Sequence, residues 1–149
     1  LYPEVFAGSL SEAMRVMMLL QMGRREEAIA SADRVEKEEH PIISHRIALL
    51  WRYAFTGDRQ KAFSWMTPEA MRTCRRDFMC SWWVACAYVV LGDAGNALDW
   101  LENAVELGFV NHHYLAEVDP LLVPLRADSR FQALMARARE RQAELEVHA

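Results

Sequence analysis

The sequence predicts an all-α fold, an array of about three antiparallel helical hairpins closed by a C-terminal capping helix. Three observations predict it. Glycine–alanine pairs recur as Gly23 with Ala28, Gly57 with Ala62 and Gly92 with Ala97. Their period of about 34 residues is the length of two helices and a turn. The six glycines and five prolines are few, and most fall where helices would start or stop. From Ser129 onward, Phe131, Leu134, Met135 and Ala138 recur at helical spacing.

Each pair has a physical reason. Glycine at the turn tolerates the left-handed backbone that ends the first helix. The alanine lies where the second helix crosses the first, and a larger side chain there would push the two apart. The first hairpin is expected to pair about residues 9–22 with 25–39. Ser9 or Ser11 is its candidate N-cap, and Glu12 stands three after Ser9 as in a capping box. The second pairs about 42–56 with 59–66. It should break at Thr67-Pro68, because proline cannot continue a helix interior and a threonine–proline step suits an N-cap and first turn. The third pairs about 78–91 with 94–107, and Gly108 ends it. Asp58 and Asp93 follow their turn glycines and complement the N-terminus of the next helix.

Residues 9–110 thus hold three hairpins. Residues 111–128 carry Pro120 and Pro124 without repeat spacing and are expected to be irregular. Residues 129–146 form the last helix, which caps the apolar face that an end repeat leaves open. No Gly/Ser linker divides the chain, so 1–149 reads as one domain with 52% apolar residues to build a core. Leu1 is not an initiator Met and no signal-peptide pattern follows, which predicts that the chain is part of a longer protein.

Composition narrows the function classes. A net charge of −4 argues against nucleic acid. The apolar run from Trp82 to Leu91 is too short to span a bilayer. Cys74, Cys80 and Cys86 match neither a disulfide framework nor a zinc motif, and are expected as thiols in a reducing cytoplasm. Catalytic candidates are weak. His112 and His113 stand near Glu117 and Asp119 but lack a helical metal-ligand spacing, and they read as polar residues near a helix end. His40 and His45 flank an inter-repeat turn. Gly92-Asp-Ala-Gly95 lacks the strand and lysine of a phosphate loop. No enzyme activity, metal or cofactor is expected.

The spacing resembles the tetratricopeptide repeat family over roughly two thirds of the chain. The quoted segments are Leu-Gln-Met-Gly-Arg-Arg-Glu-Glu-Ala, Ala-Phe-Thr-Gly-Asp-Arg-Gln-Lys-Ala and Val-Val-Leu-Gly-Asp-Ala-Gly-Asn-Ala. Tyr53 and Tyr88, with Leu19 in the first unit, occupy a further repeat position, as do Ala32, Met66 and Leu101. The family's early tryptophan is missing, since Glu12, Arg46 and Ser81 stand there, and only Leu49 keeps the following leucine. The resemblance implies a right-handed superhelix and a protein-interaction scaffold. The tail also resembles the ends of certain bacterial multidomain signalling proteins, in which such repeats follow a kinase, cyclase or DNA-binding regulator domain. The matching residues are Tyr114-Leu115-Ala116, Asp119-Pro120-Leu121-Leu122, Pro124-Leu125-Arg126 and Arg130-Phe131, with Ser81-Trp82-Trp83 in the third repeat. This implies a regulatory or partner-binding C-terminal module.

In the family's register the concave groove is lined by Leu10, Ala13, Met17 and Leu20, then Ile47, Trp51, Ala54 and Phe55, then Met79, Trp82, Cys86 and Val89. That face is apolar and lacks a Lys/Asn/Arg clamp for acidic peptide ends. It suits an amphipathic helix or apolar peptide, and Met14, Met17, Met18 and Met22 add adaptability. The partner would be another protein, an upstream domain of the same protein or a second copy, with no nucleic acid and no membrane. Three alternatives stand beside an open groove. It is filled by 111–128 or the final helix, it is a homodimer or intramolecular docking face, or it senses a small apolar ligand.

Overall fold

The computed structural model describes residues 14–37, 39 and 41–147. Ser9, Ser11 and Glu12, the groove residues Leu10 and Ala13, and His40 lie outside the described residues. Every regular element among the described residues is helical. The chain packs as two compact units, Leu1–Met71 and Arg72–Ala149.

The first unit contains α1 (residues 14–21), α2 (Arg25–Glu36), α3 (Ile43–Phe55), α4 (Arg59–Ser64) and the start of α5 (Pro68–Cys74). α3 packs against both α2 and α4. Its core is Ile47, Ala48, Leu49, Leu50 and Trp51, none of which keeps any exposed surface. The chain leaves helical geometry after Ser64 and restarts at Pro68, where the Thr67 hydroxyl accepts from the Ala70 N–H at 3.2 Å. The break expected at Thr67-Pro68 is therefore a capped helix start.

The second unit contains the end of α5, α6 (Phe78–Val90), α7 (Ala94–Glu106) and α8 (Ser129–Val147). Residues 111–128 are more ordered than their prolines suggest. They hold a π-helical turn, Tyr114–Val118, and a 3-10 helix, Pro120–Leu125. Pro120 opens that helix, and the Asp119 carboxylate caps it by accepting from the Leu121 N–H at 2.9 Å. α6 lies between α7 and this 3-10 helix, and α8 packs on α7. Residues Ser81 to Val89 are all buried, so the run that is too short for a bilayer is the core of this unit. No helix of the described residues is long and apolar enough to cross a membrane.

The Gly–Ala repeat corresponds to one repeated hydrogen-bond pattern. Gly23, Gly57 and Gly92 have φ of 74°, 79° and 74°. Gly23 N–H donates to the Leu20 carbonyl and Arg24 N–H to Leu19. Gly57 and Asp58 donate likewise to Ala54 and Tyr53, and Gly92 and Asp93 to Val89 and Tyr88. These are Schellman caps, which satisfy two of the carbonyls a helix end leaves unpaired. Gly108, with Phe109, ends α7 in the same way on Val105 and Ala104. Asp58 and Asp93 then cap the next helix through the Lys61 and Asn96 N–H groups at 2.9 and 3.1 Å. Ala28, Ala62 and Ala97 are all buried where that helix begins to pack.

A Cβ added at Gly92 would meet nothing within 4 Å, so the glycine is needed for its backbone conformation and not for space. Gly92→Ala should therefore cost about 1 kcal/mol, and Gly92→Asn less, because asparagine tolerates the left-handed region better. Urea unfolding of the two variants against wild type measures this, and an alanine variant as stable as wild type would contradict it.

α8, Ser129–Val147, covers the span expected for the last helix. Asp128 caps it through the Arg130 and Phe131 N–H groups at 2.8 and 3.1 Å. Phe131, Leu134, Met135 and Ala138 form its buried stripe. Arg130 pairs with Asp99 at 2.6 Å and Glu102 at 2.9 Å, Arg137 also pairs with Glu102, and Arg141 donates to the Val105 carbonyl at 2.8 Å at the end of α7.

Candidate functional site

The residues assigned to the concave groove are mostly core. In the first unit Met17 and Leu20 are buried, and Ile47 and Trp51 keep no exposed surface. Ala54 is buried and Phe55 half-buried, with its ring 6.3 Å from that of Trp51 and the Arg25 guanidinium 5.8 Å from its centroid. In the second unit only Met79 is exposed, while Trp82, Cys86 and Val89 are buried.

The second unit shows what covers its α6 face, namely the chain's own segment after Gly108. Trp82 meets Phe109 edge-on at 5.6 Å and Tyr114 edge-on at 5.7 Å, and Phe78 also packs on Phe109 at 5.6 Å. The Trp82 indole N–H donates to the Asp119 carboxylate at 2.8 Å, and the Cys86 thiol approaches the same oxygen at 3.9 Å. Here the apolar face of α6 is sealed by residues 109–125 and is not an open groove. A tryptophan presented to a fully buried carboxylate serves folding first, because each satisfies a polar group the other would leave unpaired.

Asp119 is the residue that sequence reasoning missed. It reads as polar loop chemistry beside two histidines, yet it has no exposed surface. Burial pushes its carboxyl pKa up, against the Leu121 N–H, the Trp82 N–H, the Arg126 charge and the Cys86 thiol. Burial, and then the nearby Asp119 charge, hold the Cys86 thiol well above the usual thiol value. The available signal was the step Asp119-Pro120 set between apolar residues, which marks a helix cap inside a hydrophobic segment. The other members of that supposed cluster stay outside, with His113 pairing with Glu117 at 3.3 Å, both exposed. Among the described residues no group of His, Cys, Asp and Glu is placed to hold a metal ion.

A second titratable cluster joins α2, α3 and α4. The Tyr53 hydroxyl donates to Glu36 at 2.7 Å, Lys61 lies 3.3 Å from the same carboxylate, and Arg52 pairs with both Glu36 and Asp33. Burial raises the Glu36 carboxyl, but the hydrogen bonds from Tyr53 and Lys61 and the Arg52 charge outweigh it and hold its pKa below the usual value. Every member has a partner within the helices it joins, so the cluster reads as a clamp between helices. The basic run near Arg72 is likewise employed, since Arg75 stacks 3.6 Å from the Trp100 ring centroid.

Two open surfaces stand out among the described residues. One is a groove of about 650 Å³ between the π-helical turn and α8, floored by Phe131 and Met135 and edged by His112, Arg126 and Arg139. The other is the outer face of α1, where Met14, Met18 and Met22 are 43%, 56% and 63% exposed. Counting back from the turn glycine, Ala48 and Arg52 hold the places of Met14 and Met18 in the second hairpin. In α3 those places are occupied, since Ala48 has no exposed surface and Arg52 reaches Asp33 of α2 at 2.5 Å.

No protein-family model matches the chain, and no curated protein or solved structure matches it significantly.

Proposed function

We propose that this chain is a partner-binding module built of helical hairpins of the tetratricopeptide kind. The observation that carries the reading is the methionine stripe Met14, Met18, Met22. Three long apolar side chains lie at helical spacing on one exposed face, while Met17 and Leu20 anchor the same helix from beneath. Methionine is unbranched and polarisable, so such a stripe adapts to an apolar partner surface. The equivalent face of α3 is covered by α2, which makes an amphipathic helix the occupant this face suits. The repeated Schellman turns support a repeat scaffold, and the tail motif supports a place in a larger signalling protein. In this reading the contact surface lies on the outside of α1, and the Trp51 and Trp82 faces are the core that holds the scaffold rigid.

The test is a selection from a library of amphipathic helical peptides against the whole chain. Enriched peptides should carry apolar residues at helical spacing. They should lose at least tenfold in affinity, about 1.4 kcal/mol, for a Met14→Gln, Met18→Gln, Met22→Gln variant whose circular dichroism is unchanged. Peptides that bind the variant equally well would remove the stripe from the contact surface. Light scattering on the same two proteins shows whether a second copy is the partner.

A further inference from the structure

The groove between the π-helical turn and α8 combines an apolar floor with cations that the fold leaves unengaged. Its volume of about 650 Å³ falls within the range of small-molecule sites, about 300–1,000 Å³. Helical period builds the α8 wall, since Phe131, Met135 and Arg139 follow one another at intervals of one turn. Two hydrogen bonds tie this wall to the segment facing it. The His112 N–H donates to Gln142 Oε1 at 3.1 Å, and Gln132 Nε2 donates to the Arg126 carbonyl at 3.2 Å. The groove is thus formed before a ligand arrives, which lowers the ordering cost of binding.

The arginines of α8 are not employed alike. Arg130 and Arg137 pair with Glu102, and Arg141 donates to the Val105 carbonyl. Arg139 is exposed and has no hydrogen bond or ion pair among the described residues. Across the groove, Arg126 is fixed through Nη2, which donates to the Glu117 carbonyl at 2.8 Å and the Asp119 carbonyl at 3.3 Å. Among the described residues no carboxylate forms an ion pair with it, and the Asp119 carboxylate is engaged by Trp82 and Leu121. Glu140 is the acidic residue of the lining. Two guanidinium groups against one carboxylate leave the groove positive.

We propose that this groove binds an alkyl carboxylate, a single carboxylate carried on an apolar chain. The carboxylate meets Arg126 and Arg139, whose guanidinium groups present paired N–H donors that match two oxygens. The chain lies over Phe131 and Met135, where its apolar surface leaves water. A bare anion would gain nothing from that floor, and an uncharged chain would leave the two cations without a partner. Glu140 opposes a second negative charge, which favours a monoanion over a phosphate ester. The site lies in the second unit and does not depend on the methionine stripe of α1.

The experiment titrates the whole chain, labelled at its methionine methyl groups, with decanoate and reads the methyl resonances by NMR. Met135→Leu assigns the signal of the groove floor. Decanoate should shift the Met135 methyl saturably and leave those of Met14, Met18 and Met22 in place. Decanol, which keeps the chain and lacks the charge, should bind about tenfold more weakly, and so should decanoate to Arg139→Gln. Arg139 is exposed and unpaired, so this variant should keep its fold. Ala136→Trp, a second change at an exposed position of the lining, should block the groove and abolish the shift. Decanol binding as well as decanoate, an Arg139→Gln variant that binds undiminished, or shifts at the stripe methyls without one at Met135 would overturn the proposal.

Discussion

Trp51→Glu is expected to abolish cooperative folding of the first unit. Trp51 has no exposed surface and sits among Ile47, Ala48, Leu49 and Leu50, which have none either. Removing a buried tryptophan side chain costs about 3–5 kcal/mol through lost transfer energy and the cavity left behind. A carboxylate in its place adds a further desolvation cost of several kcal/mol unless it stays protonated. The sum approaches the whole stability of a typical domain, about 5–15 kcal/mol. Near-ultraviolet circular dichroism and thermal unfolding measure the loss, with Trp51→Phe as a milder companion that keeps an aromatic ring. A Trp51→Glu protein with native helicity and an undiminished melting temperature would place Trp51 on an exposed face, as an open concave groove requires.

The second large effect belongs to Asp119. Asp119→Ala removes the acceptor for the Trp82 indole N–H and the Leu121 N–H, both inside the second unit. Each buried donor left unpaired costs about 1–3 kcal/mol, so a loss of about 2–5 kcal/mol is expected in urea unfolding. The pH dependence has a defined sign. Burial raises the folded carboxyl pKa above its ordinary 3.8. The native state therefore binds more protons than the unfolded chain between those two values. Stability conferred by this group falls as pH rises through that window and stays lower above it. Glu36 and Glu102 act in the opposite sense. Their folded pKa values are lowered, so their contribution is present above the ordinary 4.5 and is lost as pH falls through the folded values. The difference between wild type and Asp119→Asn isolates the single group. Unfolding of the two proteins measured from about pH 4 to 7 should show wild type losing stability relative to the asparagine variant as pH rises. Parallel profiles would mean that Asp119 is solvated in the native protein.

Several elements were legible because they depend on few residues. The Schellman turns at Gly23, Gly57 and Gly92 need only a glycine with positive φ and a helix to end. The caps at Asp58, Thr67 and Asp93 need one side-chain oxygen near the N–H groups that follow. The α8 stripe follows from helical period alone. The groove residues were harder to read. An apolar helix face has the same spacing whether it meets a partner or its own chain. Trp82 and Cys86 could be resolved only by knowing where Phe109, Tyr114 and Asp119 go.

By itself the sequence determined an all-helical chain, where its helices stop, and which residues cap them, since these rest on backbone dihedrals and hydrogen bonds between near neighbours. Only the tertiary structure decided which apolar residues are core and which are surface. It split one methionine-rich helix into a buried Met17 and an exposed Met14, Met18 and Met22. It also buried Asp119 against Trp82, residues far apart in the chain. Burial belongs to the packing of segments on one another, and no local spacing records which segment arrives to cover a given face.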